Sequence, residues 1–175
     1  HRAVEALLQL VTDLSRRTRF FARELRPGGA VAGAGSVLTW QTGYPFGVNF
    51  ARGFPRYNPG EFTAPDLLAR GEVDAALVVG GDALRHLPEP ALAHLRRIPV
   101  VVLDEPGTLP VVPAAVRFTT AVYGVHRPGT AQRMDDVSIP LRVLLPADLP
   151  DDANILTGLL DRVNRGGSAG GSRLQ

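Results

Sequence analysis

Between Asp74 and Leu103, two apolar runs of strand length bracket one helical stretch, and that order constrains the fold more than any other feature of the chain. Asp74-Ala75-Ala76-Leu77-Val78-Val79 is closed by Gly80-Gly81 and reads as a buried strand. Ile98-Pro99-Val100-Val101-Val102-Leu103 reads as a second. Residues 88–97 read as a helix with Pro88 or Pro90 near its start, where a missing N–H costs nothing. Two strands joined through a helix run parallel, because the crossover returns the chain to the end from which it left. The expected class is therefore α/β, with a Rossmann-like small parallel sheet flanked by helices. Val116 to Thr119 can add a third strand. Upstream, Thr63 can cap a helix through Arg70, with Asp66 in its first turn and Gly71 at its end.

The flanks differ in texture. Residues 2–25 carry Val4, Leu7, Leu8, Val11 and Leu14 at three- and four-residue steps, which predicts one amphipathic helix stopped by Pro27-Gly28-Gly29. Residues 28–62 hold eight glycines, Pro45, Pro55 and Pro59, and aromatics from Trp40 onward. No period survives there, so the expectation is a long Gly/Pro/aromatic loop that covers the core or meets a partner. Trp40, Tyr44, Phe46, Phe54 and Tyr57 are expected to be partly buried against the core or a partner. After Thr120 the chain reads as an irregular C-terminal extension, extended from Val137 to Leu145 and broken by Pro140. Asp151 or Asp152 can cap a last helix, and the Gly/Ser-rich end reads as a flexible tail. One domain over 1–165 and a tail over 166–175 are expected.

Composition restricts what such a domain does. The 175 residues are 45% hydrophobic, enough to bury a core. The net charge is only +2, and all 19 basic residues are Arg, scattered rather than clustered. A nucleic-acid partner is not expected, since it calls for clustered charge with interleaved aromatics. No apolar run approaches the roughly 20 residues of a membrane span. There is no cysteine, so this stretch holds neither a disulfide nor a thiolate-bound metal. With no secretory segment visible, a cytoplasmic location is expected. A chain that opens on His1 rather than Met leaves room for residues upstream.

Candidate chemistry concentrates at strand ends and in the aromatic loop. Ligands of open parallel sheets sit beyond the carboxyl ends of the strands. Those ends are Gly80-Gly81-Asp82 and Asp104-Glu105-Pro106-Gly107-Thr108. Glycine admits a close backbone approach, and an acid after a strand can accept from a ribose or a guanine. Gly80, Gly81, Asp82, Asp104 and Thr108 are therefore cofactor-cleft candidates, although such strand ends often do no more than turn the chain. The Walker A and GxGxxG patterns are absent. Arg52 and Arg56 flank Gly53-Phe54-Pro55, with Tyr57 next. That arrangement suits a carboxylate such as formate, or else arginines bonded to loop carbonyls. His86, His94 and His126 lack metal-ligand spacing, and no serine lies in a nucleophile elbow.

Leu38-Thr39-Trp40-Gln41-Thr42-Gly43-Tyr44-Pro45-Phe46, followed by Phe50-Ala51-Arg52-Gly53-Phe54-Pro55-Arg56-Tyr57-Asn58-Pro59-Gly60-Glu61-Phe62, resembles the B subunit of formylmethanofuran dehydrogenase. The resemblance continues through Asp66 to Val79, Ile98 to Asp104 and Gly129 to Asp135, and covers roughly residues 1–145. It implies a molybdopterin-oxidoreductase fold whose full-size members bind a pterin guanine dinucleotide, tungsten or molybdenum, and an iron–sulfur cluster. Such enzymes interconvert carbon dioxide and formate. The family also uses an arginine near the metal, matched by Arg52 or Arg56. This sequence departs from the pattern. The cysteine ligands have no counterpart. Ala115-Val116-Arg117-Phe118-Thr119-Thr120 stands where relatives carry Ala-Asp-hydrophobic-hydrophobic-Pro, and His126 and Pro128 replace acids before the Gly-Thr pair.

A shortened B subunit of this family is part of the formyltransferase/hydrolase complex of methylotrophic bacteria. The resemblance thus implies a non-catalytic structural subunit with no cofactor of its own. Its partners would be amidohydrolase-like, formyltransferase-like and β-helical C subunits. Two other readings stay open: the carboxyl-terminal part of a redox-active tungsten or molybdenum subunit, and a nucleotide-binding module.

Overall fold

The computed structural model describes residues 2–22, 31–133, 135 and 137–170, with backbone only for 167–170. The expected central pattern is present. Strand β3 (Ala76–Val79), a short 3-10 helix (Gly81–His86), α4 (Glu89–Leu95) and β4 (Val100–Asp104) form the crossover unit. β4 pairs in parallel with β3 through Val78↔Val102 and with β5 (Val116–Thr119) through Val102↔Arg117. The sheet order is β3-β4-β5, so the chain adds strands in one direction. The second connection, residues 105–115, crosses without a helix.

The main core cluster lies on one face of this sheet, while Leu103 is buried on the other. Leu68 from α3 (Ala64–Ala69), Leu84, Ala91 and Leu95 pack on Val100 and Val102, with Val112 closing the edge. Leu95, Val100, Val102 and Leu103 are the largest fully buried side chains. Each buried aliphatic side chain contributes about 1.5–3 kcal/mol. Alternation then explains the other face. Leu77 and Val79 point away from α4 and are 53% and 51% exposed. β3, expected as a fully buried strand, is thus covered on one side only, although parallel sheets ordinarily have both faces covered.

α3 begins after Thr63, but no side chain caps it. The Thr63 hydroxyl turns instead to the Asp66 carboxylate, while Pro65 supports the first turn. Gly71 follows α3 at φ +72°, a left-handed turn that a β-carbon would strain. At the last helix, α5 (Asp152–Gly170), Asp151 is the cap: its Oδ1 accepts the Asn154 N–H at 2.7 Å. Residues 166–170, expected in a flexible tail, continue α5 as helix, and residues 171–175 of that tail lie outside the described residues.

Three expectations are corrected. The first helix, α1, ends at Ser15 rather than near residue 25: the N–H groups of Arg17 and Thr18 both return to the Leu14 carbonyl, and the Ser15 hydroxyl turns to Phe20 O. No residue of α1 is buried. The expected structureless stretch contains a helix, α2 (Val31–Thr42), and a short antiparallel pair, β1 (Val48–Asn49) with β2 (Arg56–Tyr57). Gly33 and Gly35 disfavour a helix locally, yet the Thr39 and Thr42 hydroxyls bond back to the carbonyls of Gly35 and Leu38, so neither competes with the turn. The C-terminal extension also carries order, because β6 (Gly129–Gln132) pairs antiparallel with β7 (Ser138–Leu141). Pro140 sits in β7, a two-stranded edge where a missing donor is tolerated.

Candidate cofactor cleft and aromatic loop

Gly80 leaves β3 in a left-handed conformation, φ +80°, and its N–H donates to Leu103 O at 2.9 Å. That turn brings the next amide, Gly81 N–H, onto the Asp104 carboxylate at 2.6 Å from Oδ1. Two cleft candidates thus bond to each other across the ends of β3 and β4. The fit is close: a β-carbon on Gly81 would stand 2.8 Å from Oδ1. Asp104 is only 3% exposed. Its second oxygen lies 2.9 Å from Nη1 of Arg117, which reaches over from β5. A carboxylate taken this far from water needs a counter-charge, because burial costs each ion several kcal/mol. Arg117 supplies it, and Nη1 also donates to the Thr108 carbonyl at 3.3 Å.

Asp82 and Thr108 flank an open depression of about 430 Å³ formed with Arg85 and loop 105–109. Arg85 spans it, donating from Nε to Asp82 Oδ1 at 3.1 Å and from Nη2 to Leu109 O at 3.2 Å. Two arginines therefore tie down the loop that walls the cleft. Sequence reasoning marked Arg117 only as a departure and missed Arg85, whose one local signal is its spacing three residues after Asp82 on the 3-10 helix. Tyr123, its phenol pushed up by burial and then by the Asp151 and Asp152 carboxylates, is not among the residues that line the depression.

In the aromatic loop, Tyr57 stacks on Tyr44, with ring centroids 4.9 Å apart, and receives Phe46 edge-on at 5.7 Å. Arg56 lies on the same hairpin. Its Nη2 donates to Asn49 Oδ1 at 3.1 Å, and its guanidinium covers the Phe62 ring at 4.8 Å. Arg52 is exposed and, among the described residues, has no hydrogen bond or ion pair. The two arginines do not form one fork: Arg56 bonds within the loop, whereas Arg52 stands exposed. Arg56→Ala is expected to cost about 1–2 kcal/mol, from one hydrogen bond and one cation–π contact. Arg52→Ala should stay within about 0.5 kcal/mol. Urea denaturation of the two variants checks this, and equal losses would contradict the division of roles.

Within the chain itself, Tyr44 and Tyr57 are half-buried. Trp40 is 75% exposed, and Phe46 and Phe54 are exposed as well. His94 and His126 serve structure: His94 Nε2 lies 2.7 Å from Val73 O, and His126 Nδ1 accepts the Val122 N–H at 3.1 Å. Among the described residues no group of three or more His, Cys, Asp or Glu is placed to hold a metal, and no helix is long and apolar enough to cross a membrane.

No family model matches the chain. Among characterised proteins, it is 44% identical over 165 residues to the B subunit of tungsten-containing formylmethanofuran dehydrogenase 2 from Methanocaldococcus jannaschii. It is 39% identical over 166 residues to the protein of the same name from Methanococcus maripaludis. These alignments cover 93% and 94% of this chain but only 38% of each relative. The chain thus spans well under half the length of the relatives it matches. Among solved structures, it resembles a chain of the formyltransferase/hydrolase complex FhcABCD from Methylorubrum extorquens, determined with methylofuran. The TM-score is 0.78 at 29% identity, over 94% of this chain and 46% of that one. The fold, the aromatic loop and the strand ends are therefore those of a homologue of the formylmethanofuran dehydrogenase B subunit, matched along 38% of that protein.

Proposed function

We propose that this chain is a non-catalytic structural component of a cytoplasmic formyltransferase/hydrolase complex. The reaction assigned to that complex moves a formyl group from formyl-tetrahydromethanopterin to methanofuran and hydrolyses the product to formate. Amidohydrolase-like and formyltransferase-like partners would carry the chemistry, alongside a β-helical partner. The observation that carries this reading is the likeness to a chain of FhcABCD across nearly the whole of this chain. Uncovered apolar surface supports a role inside an assembly: the α1 stripe, Trp40, and the outer face of β3 at Leu77 and Val79 are all exposed. The absence of cysteine means that these 175 residues offer no thiolate to a metal or cluster.

A second reading is favoured by a different observation. The chain is more similar in sequence to the tungsten-containing subunits, at 44% and 39%, than to the Methylorubrum chain, at 29%. On that reading it is part of a redox-active formylmethanofuran dehydrogenase, and Arg52 is the arginine presented toward the substrate. The same purified native assembly separates the two. The first reading predicts formate release from formyl-tetrahydromethanopterin and methanofuran, with no formate-dependent reduction of a viologen dye. Robust dye reduction by formate would move the chain to the second.

A further inference from the structure

We propose that Arg117 is an internal latch that closes the carboxyl-end crevice of the sheet to nucleotides. The crevice has the position at which open α/β sheets take such ligands, and Asp104 is the strand-end acid that would accept from a ribose or a base. One of its oxygens is hydrogen-bonded within the chain; the other, buried and without a hydrogen-bond donor among the described residues, is held only by an ion pair. Oδ1 receives Gly81 N–H at 2.6 Å, and Oδ2 faces Arg117 Nη1 at 2.9 Å. The amide a phosphate or base would use at the end of β3 is thus spent on the carboxylate a sugar would use at the end of β4. A β-carbon at Gly81 would already collide with that carboxylate, so no ligand group passes between them.

The wall is fixed as well. Arg117 bonds the Thr108 carbonyl and Arg85 bonds the Leu109 carbonyl, which holds loop 105–109 against both sides of the cleft. A nucleotide could reach Asp104 only by displacing a cation from a carboxylate that is 3% exposed, where the pair is little screened by water. The residues present therefore do not fit the nucleotide half of the pterin dinucleotide that the family resemblance implies. The latch depends only on the chain's own contacts, and it counts against the redox reading, which calls for that dinucleotide.

The test uses the intact native assembly, with GMP and AMP as separate probes in isothermal titration. The wild-type protein is expected to show no saturable binding up to about 1 mM. Arg117→Met, which frees the carboxylate and one side of the loop, should gain affinity for at least one probe by roughly tenfold or more. The double variant Arg117→Met with Asp104→Asn should lose that gain. If the Met variant does not fold, Arg117→Gln replaces it, keeping a donor for the Thr108 carbonyl without the charge. A wild-type measurement stands beside these: hydrogen exchange at the Gly81 amide should be unchanged by millimolar GMP. Wild-type binding with Kd below about 100 µM, faster Gly81 exchange with GMP, or a charge-removing variant that folds and binds no better would each overturn the latch.

Discussion

Leu95→Ala is expected to lower the unfolding free energy by about 2–5 kcal/mol. Leu95 is 1% exposed and lies where α4 meets the sheet. Its neighbours in the core, Val100 and Val102, are β-branched and stand on a strand paired on both sides, so they cannot swing into the space left behind. Most of the removed volume therefore stays as a cavity, which places the loss in the upper part of the range. Leu7→Ala on α1 removes the same atoms from an exposed helix face and should cost no more than about 0.5 kcal/mol in the isolated chain. Urea denaturation of both variants is the check. Similar losses at the two positions would mean that α1 is packed in solution and that the core is not where the fold places it.

Asp104→Ala should be nearly as damaging, about 3 kcal/mol, though the change is on a polar residue. It removes the acceptor of Gly81 N–H and the counter-charge of Arg117 at once. Arg117 is 30% exposed and can turn partly to water, which keeps the loss at the low end for a broken buried pair. Asp104→Asn retains an oxygen for Gly81 and should lose about half as much. Loss of the amide contact should also speed hydrogen exchange at Gly81. If Asp104→Ala leaves both stability and that exchange unchanged, the carboxylate is not held as described.

The parallel unit was legible because its signals are local and concordant. The β-branched runs at Val78–Val79 and Val100–Val102, the stop at Gly80-Gly81 and the prolines opening α4 all favour one arrangement, and Val116–Thr119 then had a place as the third strand. α2 was not legible, because Gly33 and Gly35 argue locally against the helix that forms and its apolar residues keep no period. The opposite error came at α1, where the apolar stripe ends at Leu14 with the helix and the expected length ran on to the stop at Pro27-Gly28-Gly29.

The same limit governs the site. Gly81 and Asp104 could be read as strand ends, but they are 23 residues apart, and only the parallel register turns them into each other's partners. Arg52 and Arg56 looked equivalent in sequence. They are separated by Asn49, which the β1–β2 pairing sets opposite Arg56 and away from any bond to Arg52. Trp40, Phe46 and Phe54 are not covered by the core, because a residue type records that a side chain favours burial, not whether the core or a partner buries it.

The central proposal is that the fold shared with the B subunit serves here in an assembly whose chemistry does not run through a tungsten or molybdenum centre. Elemental analysis of the purified native complex tests it most directly. The account predicts only trace tungsten, molybdenum and iron per copy of this chain, apart from zinc brought by a partner subunit. Stoichiometric tungsten or molybdenum, together with iron, would contradict it.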